Sequence, residues 1–157
     1  MKPLQLIAIL STALYLVPTG AHLFELTHKM TMSPAEYMIV QRVYVGWSLF
    51  GIVITAALVA TFAHTLLVRA DRKAFALSLG AFLGLALTQA IFWIFTYPIN
   101  IASQFWTLLP EPFEAARRQW EYSHAAGAVL TFVSLIAITL SVLLHNRLPA
   151  SSSTDPV

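Results

Sequence analysis

The sequence predicts an all-α protein, a four-helix transmembrane bundle with both termini on the same side. Three observations lead there. The chain is 58% hydrophobic and 10% charged over 157 residues, far from the roughly 25% charge of soluble domains. Four apolar stretches each reach the ~20 residues needed to cross a bilayer. A lipid-exposed backbone must pair its own polar groups, which leaves helices as the economical solution for stretches of this length.

The first stretch covers residues 4–26. Its N-terminal half, with Lys2 ahead of an apolar run and Pro18-Thr19-Gly20-Ala21 behind it, has the outline of a signal peptide. Polar residues of interest begin directly after the would-be cleavage point, so the stretch is read as a retained first helix. The second covers residues 38–68 and is long enough to tilt or project. The third covers residues 75–97 and carries Gly80 and Gly84, a small-xxx-small step that permits close helix contact. The fourth covers residues 120–144. Residues 1–148 are thus one domain, and the Ser- and Pro-containing tail, residues 149–157, is expected to be disordered.

Arg69-Ala70-Asp71-Arg72-Lys73 makes a short charged turn, and two longer connections remain. Even parity puts both termini at one face and both longer connections at the other. Lys and Arg number five on the terminal side (Lys2, Arg69, Arg72, Lys73, Arg147) and four opposite (Lys29, Arg42, Arg117, Arg118). The bias leans toward cytoplasmic termini, in the setting of a bacterial inner membrane. The net charge of +2 belongs to loops and is no nucleic-acid footprint. The absence of cysteine removes thiolate ligands and disulfide chemistry.

Chemistry concentrates at one end. His22 and Glu25 lie three residues apart near the end of the first helix, and Glu121 and His124 three apart at the start of the fourth. Residues three apart share a helix face, and parity brings these two arms together. Paired Glu-x-x-His arms on bundle helices are the ligand pattern of di-iron and di-manganese carboxylate proteins. Imidazole and carboxylate suit a transition metal (Fe, Mn, Cu or Zn) without choosing among them. His28 extends the series as a further ligand. Pro18, one turn before His22, is expected to kink the helix and widen a pocket. Gln89, Trp93, Tyr97 and Asn100 form a stripe that would line that pocket, with Trp120 and Arg117 beside it. Gln41, Tyr44 and Ser48 share a face of the second helix. Arg42 and Arg117 are placed to neutralise carboxylates or hold an anion.

Plainer readings compete. Trp93, Tyr97, Trp106 and Trp120 suit the aromatic belt of any membrane protein, and exposed charge pairs contribute little. His64 and His145 read as interfacial residues of the opposite face. For the His/Glu set together, the cost of intramembrane ionisable groups favours function.

The segments Thr96-Tyr97-Pro98-Ile99-Asn100 and Arg117-Arg118-Gln119-Trp120-Glu121-Tyr122-Ser123-His124-Ala125 resemble the anthrone oxygenase-like family of small four-helix membrane proteins. The resemblance extends over about residues 4–144 and is less distinctive in the first helix. It implies oxidation of a polycyclic phenolic compound with dioxygen, and by motif match it carries over Asn100, Trp120, Glu121 and His124.

Four functions follow as expectations. The first is an oxygenase or oxidoreductase whose metal is held by His22, Glu25, Glu121 and His124, with His124, Glu121 and Tyr97 catalytic and a lipophilic aromatic substrate. The second is a haem protein with His22 and His124 as axial ligands. The third is a cofactor-free oxygenase with His124 as general base, oriented by Glu121 or Glu25. The fourth is a non-enzymatic membrane subunit or solute carrier, more plausible as a homo-oligomer.

Overall fold

The computed structural model describes residues 2–147 and is all-helical there; the tail expected to be disordered lies outside the described residues. Helix α1 spans Pro3–Lys29. Pro3 occupies the first turn, where its missing N–H costs nothing, and Lys2 N–H donates to Gln5 Oε1 at 2.8 Å. The α-helix continues unbroken through Pro18. Its last turn carries His28 and Lys29, and a lysine ammonium there suits the negative end of the helix dipole.

The second apolar run is divided rather than continuous. A short α2, Pro34–Val40, starts at a capping box. There Ser33 N–H donates to Glu36 Oε2 at 2.9 Å and Glu36 N–H to Ser33 Oγ at 3.4 Å, each satisfying an orphan donor. A 3-10 turn, Gln41–Tyr44, comes next. Gly46 then adopts φ +89°, a left-handed backbone that glycine accepts without a Cβ clash. A second 3-10 turn, Trp47–Leu49, leads into α3, Phe50–Leu67. Hydropathy counts apolar residues and is blind to one reversed dihedral, so the expected helix over 38–68 becomes a span over Trp47–Leu67 preceded by a folded cap.

Asp71 caps α4, Arg72–Ile91, by accepting from the backbone of Lys73 and Ala74 at 3.1 and 3.2 Å. A π turn, Phe92–Thr96, joins it to α5, Tyr97–Ala102, giving one helical run of 31 residues. The next connection holds Gln104, Phe105 and Trp106 at φ 47°, 55° and 62°, three non-glycine residues in a strained region. Helix α6, Phe113–Arg147, has 35 residues and at roughly 1.5 Å per residue is about 50 Å long. It therefore starts a full two turns earlier than hydropathy placed it and outreaches a bilayer core of about 30 Å.

Helix α6 packs along α1 and α4, and α3 packs along the same two, closing a four-membered ring. Small side chains make the contact: Ala8, Ala60 and Ala81 are buried with Ile138. Of the two glycines on α4, only Gly84 has a close neighbour, since a Cβ there would collide with Ser134 Oγ on α6, while a Cβ at Gly80 would meet nothing within 4 Å. Three interior hydroxyls donate to backbone, Thr12 to Ala8 O, Thr131 to Gly127 O and Ser141 to Ala74 O on a neighbouring helix. Outward faces carry Leu10, Leu14, Val17, Ile52, Val59, Leu83 and Val133, all exposed. An apolar surface this extensive needs hydrocarbon around it. The four long helices are apolar enough to cross a membrane, and the chain is an integral membrane protein.

The ends of the bundle differ. Gln5 and Asn146 exchange amide hydrogen bonds at 3.2 and 3.3 Å, so the ends of the described chain meet. Near that end His64 is fully buried, with Nδ1 3.0 Å from Ser78 Oγ and Thr65 Oγ1 2.8 Å from the same oxygen. His64 is thus a packed core residue, not the interfacial one expected. At the other end the two long connections touch, Tyr37 lying edge-on against Trp106 at 5.2 Å.

Candidate functional site

The helix period explains which residues of α1 converge. Lys29 lies seven residues after His22 and four after Glu25, which puts all three on one stripe. His28 falls off it and is exposed. The further ligand expected at His28 is therefore outside the site, and Lys29, a loop charge by its place in the sequence, stands in the centre. Its Nζ lies 2.7 Å from Glu121 Oε1, and the two side chains are 1% and 0% exposed.

Around that ion pair the connections supply hydroxyls. Tyr37 donates to the same Glu121 oxygen at 2.7 Å. Lys29 Nζ donates to the Tyr44 hydroxyl at 3.0 Å, and Tyr44 in turn donates to Glu25 Oε2. The ammonium also faces the rings of Tyr44, Trp120 and Tyr37 at 4.6, 4.7 and 5.4 Å, an aromatic enclosure that stabilises a cation. Burial, then the Glu121 charge, pushes the Tyr37 phenol far above its ordinary range. Burial, then the bond to Glu25, does the same for Tyr44. Both phenols are therefore held as donors.

The imidazoles form a second group. His22 and His124 have ring centroids 4.0 Å apart. Trp120 lies 4.1 Å from His124 and 5.0 Å from His22, and Tyr44 and Trp47 complete the wall at 4.5 and 5.6 Å from His22. His22 is buried and its Nδ1 has no partner, whereas His124 is partly exposed. Trp120 is fixed from its other side by Nε1–H donating to Asn100 Oδ1 at 2.7 Å.

Thus the four expected ligands are brought to one end of the bundle, but as two pairs. Among the described residues no three His, Asp or Glu side chains are grouped to hold a metal ion. The physical reason is Lys29, whose ammonium already neutralises Glu121, while Glu25 accepts from Tyr44. The two imidazole rings are in van der Waals contact.

The expected pocket stripe divides. Gln89 turns inward, its Nε2 donating to the Tyr15 hydroxyl at 3.4 Å. Trp93 is exposed, and Tyr97 packs on it at 4.8 Å, outside the histidine and carboxylate network. Asn100 alone reaches the site, through Trp120. The π turn explains this: one extra residue rotates the downstream side chains by about 100° relative to α-helical counting. Its irregular carbonyl is used, Phe95 O accepting from Gln119 Nε2 at 2.9 Å.

Arg117 is committed to backbone. It donates to Met32 O at 2.6 Å and Lys29 O at 3.3 Å, and to the Glu114 carboxylate at 2.6 Å, satisfying orphan carbonyls where α1 ends. It braces the end of α1 and neutralises the Glu114 carboxylate, one of the two roles expected of it. Arg42 and Ser48 are exposed, while Gln41 is buried beside Tyr37. The residues that sequence reasoning missed are Lys29 and Tyr37. The seven-residue spacing from His22 is the signal that points to Lys29; for Tyr37, in a connection, no periodicity exists to read.

Comparison with family models, with curated proteins and with solved structures yields no match for this chain.

Proposed function

We propose that this membrane protein is an oxygenase, an oxidoreductase that uses dioxygen on a small lipophilic phenolic or anthrone-like substrate. The observation that carries the reading is the buried Lys29–Glu121 pair with its tyrosine donors, set against a histidine pair walled by tryptophan. Ionisable groups in such a place are expensive and are retained for chemistry. The resemblance of the Tyr-Pro-x-Asn and Arg-x-x-Trp-Glu-x-x-His-Ala segments to the anthrone oxygenase-like family supplies the reaction class.

In the form the geometry favours, the chemistry runs through acid and base side chains. His124, the partly exposed imidazole, takes a proton from the activated methylene of the substrate. Lys29, Tyr37 and Tyr44 are donors able to stabilise the enolate oxygen that results. The carbanion meets dioxygen; one oxygen atom becomes the new carbonyl and the other leaves as water with the two methylene hydrogens. Electrons balance without a further reductant.

A metal-dependent form is the second reading, favoured by the adjacency of His22 and His124. There both imidazoles would be ligands, and Glu25 and Glu121 would join after parting from Tyr44 and Lys29. Haem binding would require the histidine rings to separate, and a carrier role would require polar groups nearer the midplane. The cellular setting that fits is a bacterial inner membrane with cytoplasmic termini, as monomer or homo-oligomer.

The test is oxygen uptake and quinone formation from anthrone by protein purified in mild detergent, with metal analysis of the same sample. Activity that survives exhaustive chelation and disappears in His124→Ala supports the cofactor-free form. Activity that tracks a stoichiometric metal supports the metal form. No turnover of anthrone or related phenols removes the proposal.

A further inference from the structure

The two connections that cap this end of the bundle carry their side chains inside out. In the first, Tyr37 and Gln41 are buried and Tyr44 packs on His22. Between them Ile39, Val43 and Val45 are exposed, Val45 at 82%. The second connection repeats the pattern, with Ser103 and Trp106 buried and Phe105 and Leu108 exposed. A lid facing water would keep its polar side chains outside and its aliphatic ones inside. Here the order is reversed.

Charge, backbone pairing and continuity agree on what covers this surface. Residues 39–49 contain a single charge, Arg42, and residues 101–109 contain none. Arg42 is exposed, and its long stem lets the guanidinium reach headgroup oxygens. The backbone pairs within each connection. Val45 N–H donates to Arg42 O at 3.3 Å and Leu49 N–H to Gly46 O at 3.1 Å. Thr107 and Leu108 N–H donate to Ser103 O at 3.1 and 3.0 Å, and Trp106 N–H to Ser103 Oγ at 3.1 Å. Backbone paired in this way can enter a lipid layer, which offers it no partners. The patch also runs into the bilayer-facing side of the bundle, since exposed Val45 and Leu49 lead to exposed Ile52 on α3, and exposed Ile101 on α5 leads to Phe105. Beyond it the chain turns polar, with Ser33, Glu36 and Glu111 exposed, which marks the side of water.

We propose that both connections lie in the bilayer, at the boundary between headgroups and acyl chains, with phospholipid tails covering Val43, Val45, Phe105 and Leu108. Elements of this kind sink about 5–10 Å into that boundary. The membrane-contacting surface thus extends past the four spans, and the Lys29–Glu121 pair is roofed by side chains that face lipid. The placement is independent of the oxygenase reading, because no substrate enters into it.

Nitroxide labels on single cysteines test this in vesicles of phosphatidylcholine and phosphatidylglycerol, and the chain has no cysteine of its own to interfere. The labelled variants are Val45→Cys and Phe105→Cys. Val59→Cys, on the exposed face of α3, is the lipid reference, and Ala35→Cys, exposed beside Glu36, is the water reference. Each label is relaxed in turn by dissolved oxygen, which concentrates among acyl chains, and by a water-soluble nickel chelate present on both sides of the membrane. At Val45 and Phe105 oxygen is expected to be the more effective agent, as at Val59 and opposite to Ala35. A balance matching Ala35 overturns the proposal. Labels that neither agent reaches overturn it too, since a second copy or another protein then covers the patch. Melting curves of the labelled variants confirm folding, and Val43→Cys and Leu108→Cys replace any position whose variant does not fold.

Discussion

Lys29 Nζ sits 2.7 Å from Glu121 Oε1, and neither side chain reaches solvent. The charges were removed from water together and hold each other. Deleting one strands the other, a loss of about 3–5 kcal/mol. Lys29→Met should therefore lower the melting temperature in detergent markedly. The double variant Lys29→Met/Glu121→Met should recover most of the loss, because two apolar groups of similar volume replace the pair. A single Lys29→Met variant as stable as the parent would show that the pair is not formed.

Tyr37 connects the cap to that pair. Tyr37→Phe removes the donor to Glu121 and is expected to cost about 1–3 kcal/mol, the range for leaving a buried acceptor short of a partner. Its pH signature has a definite sign. Burial and then the Glu121 charge raise the Tyr37 phenol in the folded state, so the stability it contributes is complete below the ordinary phenol range. It is lost as pH rises above that range. Unfolding curves between about pH 8 and about pH 11, spanning the free phenol value near ~10, should fall in the parent and fall less steeply in Tyr37→Phe, where Tyr44 still titrates.

The contact of α4 with α6 is tight at one position. A Cβ at Gly84 meets the Ser134 hydroxyl, which can rotate away, so Gly84→Ala should be mild. Gly84→Leu has no such escape and should cost about 1–3 kcal/mol by overpacking. Gly80→Leu, in open space, should change melting little. Equal effects at the two glycines would contradict this packing.

Helix α2 depends on an exposed carboxylate. Hydrogen bonds from the Ser33 hydroxyl and backbone hold Glu36 below its ordinary value. A depressed carboxyl contributes stability above its unfolded value and loses it as pH falls through the folded one. Amide exchange across residues 34–40 should accelerate on acidification through that window. In Glu36→Gln the acceleration should vanish, since the side chain no longer titrates.

Much of this is legible in the residues. The four spans, the parity that gathers both long connections at one end, and the meeting of His22 with His124 all come from apolar run length and three-residue spacing. The boundaries are less legible where backbone conformation intervenes. A left-handed Gly46 breaks the apolar run over 38–68, and a π turn re-phases Trp93, Tyr97 and Asn100. Neither leaves a mark on hydropathy. His64 differs from expectation for a related reason: that expectation came from Arg69 nearby in sequence, but its partner Ser78 comes from the next helix.

The sequence alone determined a membrane-spanning helical bundle with imidazole and carboxylate at one end, because hydrophobic length and helix period are local properties. Only the tertiary structure decided what those groups face. Lys29 is claimed by Glu121 from 92 residues away, and Gln41 and Trp106 come from separate connections to the same tyrosine. Such pairings are set by burial, where a charge or amide must find whatever partner the packing brings within reach.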